Sequence, residues 1–249
     1  MRHIHERGIS RVVVAVALVV LVAVGAGAYL FLGKGGPSAV TSTTSQGSTT
    51  TSSTSSGNLD VFLGLEPSTP LASSDVTANY TLSFSLLSGP GGPMDFNASG
   101  ASDVTIRFDP SVIPDGTASG KVTVSLLASA SAPPGVESFN ITADQGGARH
   151  VQTFQFQVVK YLVVTVGDTF VPSNMTVSQG STVYWMRTNG AISQYDNGQH
   201  NVDIRVPGAV SPTLAQYESW SYVFAQPGGF SYYCTYHPSM TGEIVVSPA

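Results

Sequence analysis

Apolar and polar positions divide the chain into four regimes. Val12 to Leu32 is a run of 21 residues without a charge. At 1.5 Å per residue it spans about 31 Å, enough to cross a bilayer core. Fifteen of the 22 residues from Pro37 to Asn58 are Ser or Thr, and none is charged. Such a stretch cannot bury enough apolar surface to offset its ordering entropy, so it reads as a disordered tether. As a random coil its ends would stand about 25 Å apart. From Leu59 to about Lys160 apolar residues alternate at period two: Leu82, Phe84 and Leu86; Val104, Ile106 and Phe108; Val122, Val124 and Leu126; Phe154, Phe156 and Val158. Turn-forming clusters separate these sets at Ser88 to Pro93, at Pro114-Asp115-Gly116 and at Pro133-Pro134-Gly135. Short alternating strands with frequent turns predict an antiparallel sandwich.

A second β pattern fills residues 161–249. The expected strands are Leu162–Val166, Met175–Val177, Thr182–Trp185, Asn201–Val206, Ser219–Phe224, Gly229–Cys234 and Glu243–Ser247. No flexible linker precedes it. Val158 to Val166 is almost continuously apolar, so the two β modules are expected to be closely joined. The fold class is therefore all-β, two sandwich modules after one N-terminal transmembrane helix. The expected divisions are a cytoplasmic tail at 1–11, the anchor at 12–32, a Ser/Thr-rich linker at 33–58, and sandwiches at 59–160 and 161–249.

Charge orients the chain. Arg2, Arg7 and Arg11 precede the apolar run and only Lys34 closely follows it. The positive-inside rule puts the first residues in the cytoplasm and the β modules outside, as a single-pass protein of the cell membrane. A cleaved signal peptide ending near Ala26-Gly27-Ala28 is the alternative, although 21 apolar residues is long for one. Beyond Lys34 there are six basic and fourteen acidic residues, a net charge of −8. That balance excludes nucleic acid as the natural partner, since phosphate binding needs a basic surface. Four N-x-[ST] sequences, at Asn79, Asn97, Asn140 and Asn174, are glycan acceptors in an externalised chain.

The chain has one cysteine and five histidines. One cysteine excludes an internal disulfide, a CxxC redox pair and a four-cysteine zinc site. His150, beside Arg149, reads as a loop histidine without a chemical role. The chemistry concentrates in Cys234-Thr235-Tyr236-His237-Pro238-Ser239-Met240, a Cys-x2-His-x2-Met pattern, with His200 upstream. A buried cysteine is ordinarily a small hydrophobe and a methionine ordinarily core filler. A free thiol outside the cell, however, is liable to oxidation, which a ligand role explains. A thiolate, two imidazoles and a weak thioether suit copper cycling between Cu(I) and Cu(II).

Residues 161–249 resemble a cupredoxin of the plastocyanin, amicyanin and halocyanin group. Phe170-Val171-Pro172 with Val177, Gly180, Val183 and Trp185 matches the opening strands. His200-Asn201-Val202 matches the first-ligand strand. Trp220 to Phe224 and Pro227 to Cys234 match the approach to the ligand loop, and Gly242 to Val246 the closing strand. The two-residue gap between His237 and Met240 is the short, amicyanin-like form. The resemblance implies one type 1 copper held by Cys234, His200 and His237 in the equatorial plane, with Met240 axial. It implies that Asn201 and Thr235 tie the two ligand segments together. The Asn201 N–H would point at the Cys234 sulfur. His237 would be the partly exposed ligand through which electrons pass, within a docking rim of Tyr236 and Pro238. Tyr236 stands where such proteins commonly have proline, so its retained N–H is expected to donate a second bond to the sulfur. Thr188 to Gln199 is a longer loop than usual, either shaping partner docking or a tolerated insertion. The stretch from Ala132 to Val158 loosely resembles the last strands of immunoglobulin-like domains on prokaryotic surface proteins.

The implied function is single-electron carriage between redox proteins, whether cytochrome, oxidase or another copper protein, with no small-molecule substrate. Copper capture or delivery without a dedicated redox partner is the alternative. A copper enzyme fails by arithmetic. A multicopper oxidase needs eight cluster histidines where the chain has five in total, a nitrite reductase three for a second copper where only His150 remains in the external part, and a binuclear oxidase centre two cysteines. The immunoglobulin-like module is expected to be a spacer or docking platform.

Overall fold

The computed structural model describes residues 58–188 and 198–249 in full, and residues 39–40 and 51–56 as backbone. The expected tail at 1–11, the anchor at 12–32, the remainder of the linker and most of the loop before His200 lie outside the described residues. No helix among the described residues is long and apolar enough to cross a membrane. The described elements are all β.

Within the linker two short strands stand where composition predicts disorder. They are β1 (Ala39–Val40) and β2 (Thr51–Ser56). Neither needs a core of its own. Each lies on the outer edge of a sheet, where unpaired N–H and C=O groups offer a backbone template. Threonine also suits extended backbone.

The first sandwich contains β3 (Asp60–Glu66), β4 (Leu71–Ala72), β5 (Ala78–Ser88), β6 (Met94–Ser99), β7 (Val104–Asp109), β8 (Val112–Ile113), β9 (Ser119–Ala128), β10 (Gly135–Gln145) and β11 (Ala148–Val158). One sheet runs β3-β5-β9-β7, the other β2-β11-β10-β6-β8, with β4 parallel to the end of β11. Their inner faces enclose one core containing Leu63, Leu82, Val124, Phe139, Ile141 and Phe156. The alternation read from the sequence is the alternation of burial, as along β10 and β11. His150 is on strand β11 and buried rather than in a loop.

The second sandwich contains β12 (Tyr161–Val166), β13 (Thr169–Val171), β14 (Asn174–Ser178), β15 (Thr182–Arg187), β16 (Ser219–Val223), β17 (Gly228–Tyr233) and β18 (Thr241–Ser247). One sheet runs β1-β16-β15-β12-β13 and the other β14-β18-β17. The pairs β12/β15 and β14/β18 are parallel, the rest antiparallel. Asn201 to Val206, expected as a strand, is instead joined to its neighbours by isolated bridges. Its course is broken at Arg205, whose φ is +59°.

The two sandwiches share a layer. Val163, Val183 and Trp185 face the second core, while Leu162, Val164 and Met186 belong to the first. The β12–β15 pair is therefore buried on both faces. A strand so placed reads as a continuous apolar run rather than an alternation, which explains Val158 to Val166. Polar groups fix the junction. The Thr81 and Tyr217 hydroxyls are 2.7 Å apart. Tyr80 donates to the Leu71 carbonyl at 2.5 Å, and its ring lies 5.7 Å from that of Tyr217. Burial pushes the Tyr80 hydroxyl well above the usual phenol range, so it remains a neutral donor.

Candidate metal centre

The Cys-x2-His-x2-Met spacing folds as two consecutive turns. The His237 N–H donates to the Cys234 carbonyl at 3.2 Å, and the Met240 N–H to the His237 carbonyl at 2.8 Å. Each ligand-type residue is thus the i+3 partner of the one before. Pro238 takes the second position of the second turn, where its fixed φ is favourable. The Cys234 N–H closes the loop by donating to the Met240 carbonyl at 3.0 Å. Cys234 follows β17 in phase with buried Tyr232, so its thiol points inward and is 0% exposed. Met240 is 1% exposed and belongs to the same core. Gly242 begins the return strand under tight constraint. A Cβ there would lie 2.3 Å from Tyr232 Cζ and 2.4 Å from the Ser173 carbonyl oxygen. Burial raises the Tyr232 hydroxyl above its ordinary range, and it donates to that carbonyl at 3.0 Å.

His200 arrives on a separate segment. Its carbonyl accepts from the Leu214 N–H at 2.7 Å. Asp203 and Tyr233 exchange backbone bonds of 2.9 and 3.0 Å, and the Val202 N–H donates to Ser211 Oγ at 2.9 Å. Asn201 joins this segment to the ligand loop. Its Oδ1 accepts from the Thr235 N–H at 2.8 Å and from Thr235 Oγ1 at 3.0 Å.

These two supports bring three donors together. Cys234 Sγ is 3.9 Å from His200 Nδ1 and 3.7 Å from His237 Nδ1, and all three atoms lie within 4.8 Å of one another. Three ligands about 2.0–2.3 Å from one ion in a trigonal plane would be about 3.6 Å apart. The spacing therefore fits a single metal ion. One thiolate and two imidazoles, with a thioether residue buried in the same core, is the donor set of type 1 copper.

His237 marks the outer side of the site. His200 is 2% exposed, whereas the His237 side chain is 13% exposed. Tyr236, 39% exposed, and Pro238 stand at the surface beside it. The Tyr236 hydroxyl lies 2.5 Å from Thr213 Oγ1, a contact with no sequence signal. The Cys234 sulfur has both imidazole nitrogens within 4 Å. Asn201 acts through its side chain, and Tyr236 through its hydroxyl. A residue missed in the sequence, Asp168, places Oδ1 3.8 Å from His237 Nε2. Its Gly167-Asp168 dipeptide between two apolar runs signals a hairpin tip. Only the fold shows which end of the sandwich that tip occupies.

Comparison with family models and with curated proteins gives no match. Among solved structures the chain is similar to a reduced amicyanin variant, with 25% identity over 35% of this chain and 81% of that one, and a TM-score of 0.30. It is also similar to a purple cupredoxin from Nitrosopumilus maritimus, with 26% identity over 35% of this chain and 100% of that one, and a TM-score of 0.29. A Cu(I) form of another amicyanin variant shares 26% identity over 35% of this chain and 81% of that one, with a TM-score of 0.30. By its own strand pairing and donor set, the second sandwich is a β-sandwich with a mononuclear metal site. Its thiol and two imidazoles are ligand types that suit a copper ion.

Proposed function

We propose that this protein is a membrane-tethered, extracytoplasmic carrier of single electrons, using one copper ion that His200, Cys234 and His237 would hold, with Met240 as a fourth, weaker ligand. The observation that carries this reading is the convergence of one thiol and two imidazoles with metal-like spacing, one imidazole reaching the surface. Copper when bound supplies the one-electron couple. His200, Cys234 and His237 would hold it, with Met240 beside them. Short backbone bonds and the Asn201 clamp fix the ligand loop, which keeps reorganisation on electron transfer small. Asn201 and Thr235 support the ligands, and Tyr236 and Pro238 form the rim at which a redox protein docks.

The Val12 to Leu32 run supports a single-pass anchor, with the arginines before it on the cytoplasmic side. The first sandwich, immunoglobulin-like in this reading, serves as spacer or platform. A net charge of −8 beyond Lys34 favours a redox partner with a basic face, met at a rate that falls with added salt. The test uses the full chain in mild detergent, loaded with Cu(II). An intense visible thiolate-to-copper band, a reversible one-electron wave and fast electron exchange with a cytochrome are expected. A colourless product overturns the copper assignment. A coloured protein that yields copper readily to a chelator and exchanges electrons slowly is a copper-delivery protein instead.

A further inference from the structure

Asp168 sits at the tip of the β12–β13 hairpin. Val166 pairs with Thr169, leaving a two-residue loop of Gly167 and Asp168. Gly167 takes the left-handed position, φ +54°, that a tight hairpin of this kind requires of its first residue. Thr169 Oγ1 donates to the Val166 carbonyl at 2.7 Å and clips the tip. The carboxylate is therefore carried on a short, braced support.

That support brings Asp168 Oδ1 to 3.8 Å from His237 Nε2. Oδ1 is buried and, among the described residues, accepts no hydrogen bond. A buried acceptor without a donor costs desolvation free energy, and folds rarely retain one without a use. The acceptor faces the ring edge. The opposite ring nitrogen, Nδ1, is the one that faces Cys234 Sγ. Carboxylate, imidazole and sulfur stand in sequence.

We infer that Asp168 is a positioning residue for His237. Its carboxylate favours the tautomer protonated at Nε2, so that the Nδ1 lone pair faces the metal position. It also makes the imidazole a stronger donor and so favours Cu(II) over Cu(I). The second effect rests on the copper reading above; the first concerns the metal-free chain as well.

The experiment compares the full chain with Asp168→Asn, both in mild detergent. In metal-free, 15N-labelled protein at pH 8, long-range 1H–15N spectra report the His237 tautomer. The parent is expected to carry its proton on Nε2, and the variant a mixture. In copper-loaded protein, Asp168→Asn keeps the thiolate band, and its ratio of Cu(II) to Cu(I) affinity falls about tenfold, an upward shift of about 59 mV. An unchanged tautomer or an unchanged potential overturns the inference. Gly167 carries the special backbone conformation, so Asp168→Ala leaves the turn intact and is read in the same way should Asp168→Asn fail to fold. If the parent itself shows no band with copper, the copper reading fails, and the tautomer measurement alone decides the role of Asp168.

Discussion

The two sandwiches hold their strands in different ways. In the first, β10 and β11 are eleven residues each and pair without interruption from Gly135/Val158 to Gln145/Ala148. In the second, no strand among the described residues exceeds seven residues, and the segment from His200 to Leu214 is joined by single bridges. Side chains take over where the ladder stops: Ser211 Oγ accepts from Val202, Asp203 Oδ1 from Arg205, and Asn201 Oδ1 from Thr235. A continuous ladder alternates its side chains across two faces. Here the interrupted ladder, braced by side-chain acceptors, carries His200 to Cys234 and His237. The regular sandwich accordingly offers an apolar core, and the irregular one a site.

The largest expected effect falls on one side of this contrast. Cys234→Ser removes the only thiolate and is expected to abolish the visible band and copper retention. The far-UV circular dichroism of the chain should be unchanged. A retained band would mean that the site is not built on sulfur. Gly242→Ala drives a Cβ into Tyr232 and the Ser173 carbonyl, and should cost about 1–3 kcal/mol in denaturant unfolding. Asn201→Ala leaves two donors of Thr235 without their acceptor. It should cost about 1–3 kcal/mol and hasten copper loss to a chelator. Tyr217→Phe tests the junction. Loss of its bond to the Thr81 hydroxyl should cost about 0.5–1.5 kcal/mol and lower one shared unfolding transition. Two separate transitions in the parent would show that the sandwiches unfold independently.

The smallest effect lies in the first sandwich and is read from pH. Burial lowers the affinity of His150 for a proton, opposed in part by the charge of Asp60. Its folded pKa thus lies below the unfolded value of about 6.5. The unfolded chain binds the proton first as pH falls, so this contribution is fully present above about pH 6.5 and is lost below it. His150→Leu should flatten that slope in denaturant titrations.

Much of this was legible in the sequence, and for identifiable reasons. Period-two runs such as Val122, Val124 and Leu126 locate strands because a sheet face buries every second residue. Cys234, His237 and Met240 are close in sequence because two turns join them, so their spacing is itself the local structure. His200 offers no such signal; its segment is positioned by contacts with Leu214 and Tyr233, distant in sequence. Composition misled at Thr51–Ser56, where a sheet edge supplies the order that the residues themselves lack. Asp168 was missed because a hairpin tip carries no mark of what it will face.

The second core also holds both tryptophans of the chain. Trp185 and Trp220 are 5.5 Å apart, and Trp185 packs 5.4 Å from Tyr232, two residues before Cys234. The first sandwich has none. The indole emission of this protein is therefore a built-in gauge of one half of it. It reports on the second sandwich directly, and any response to a perturbation of the first sandwich has been transmitted through the shared layer.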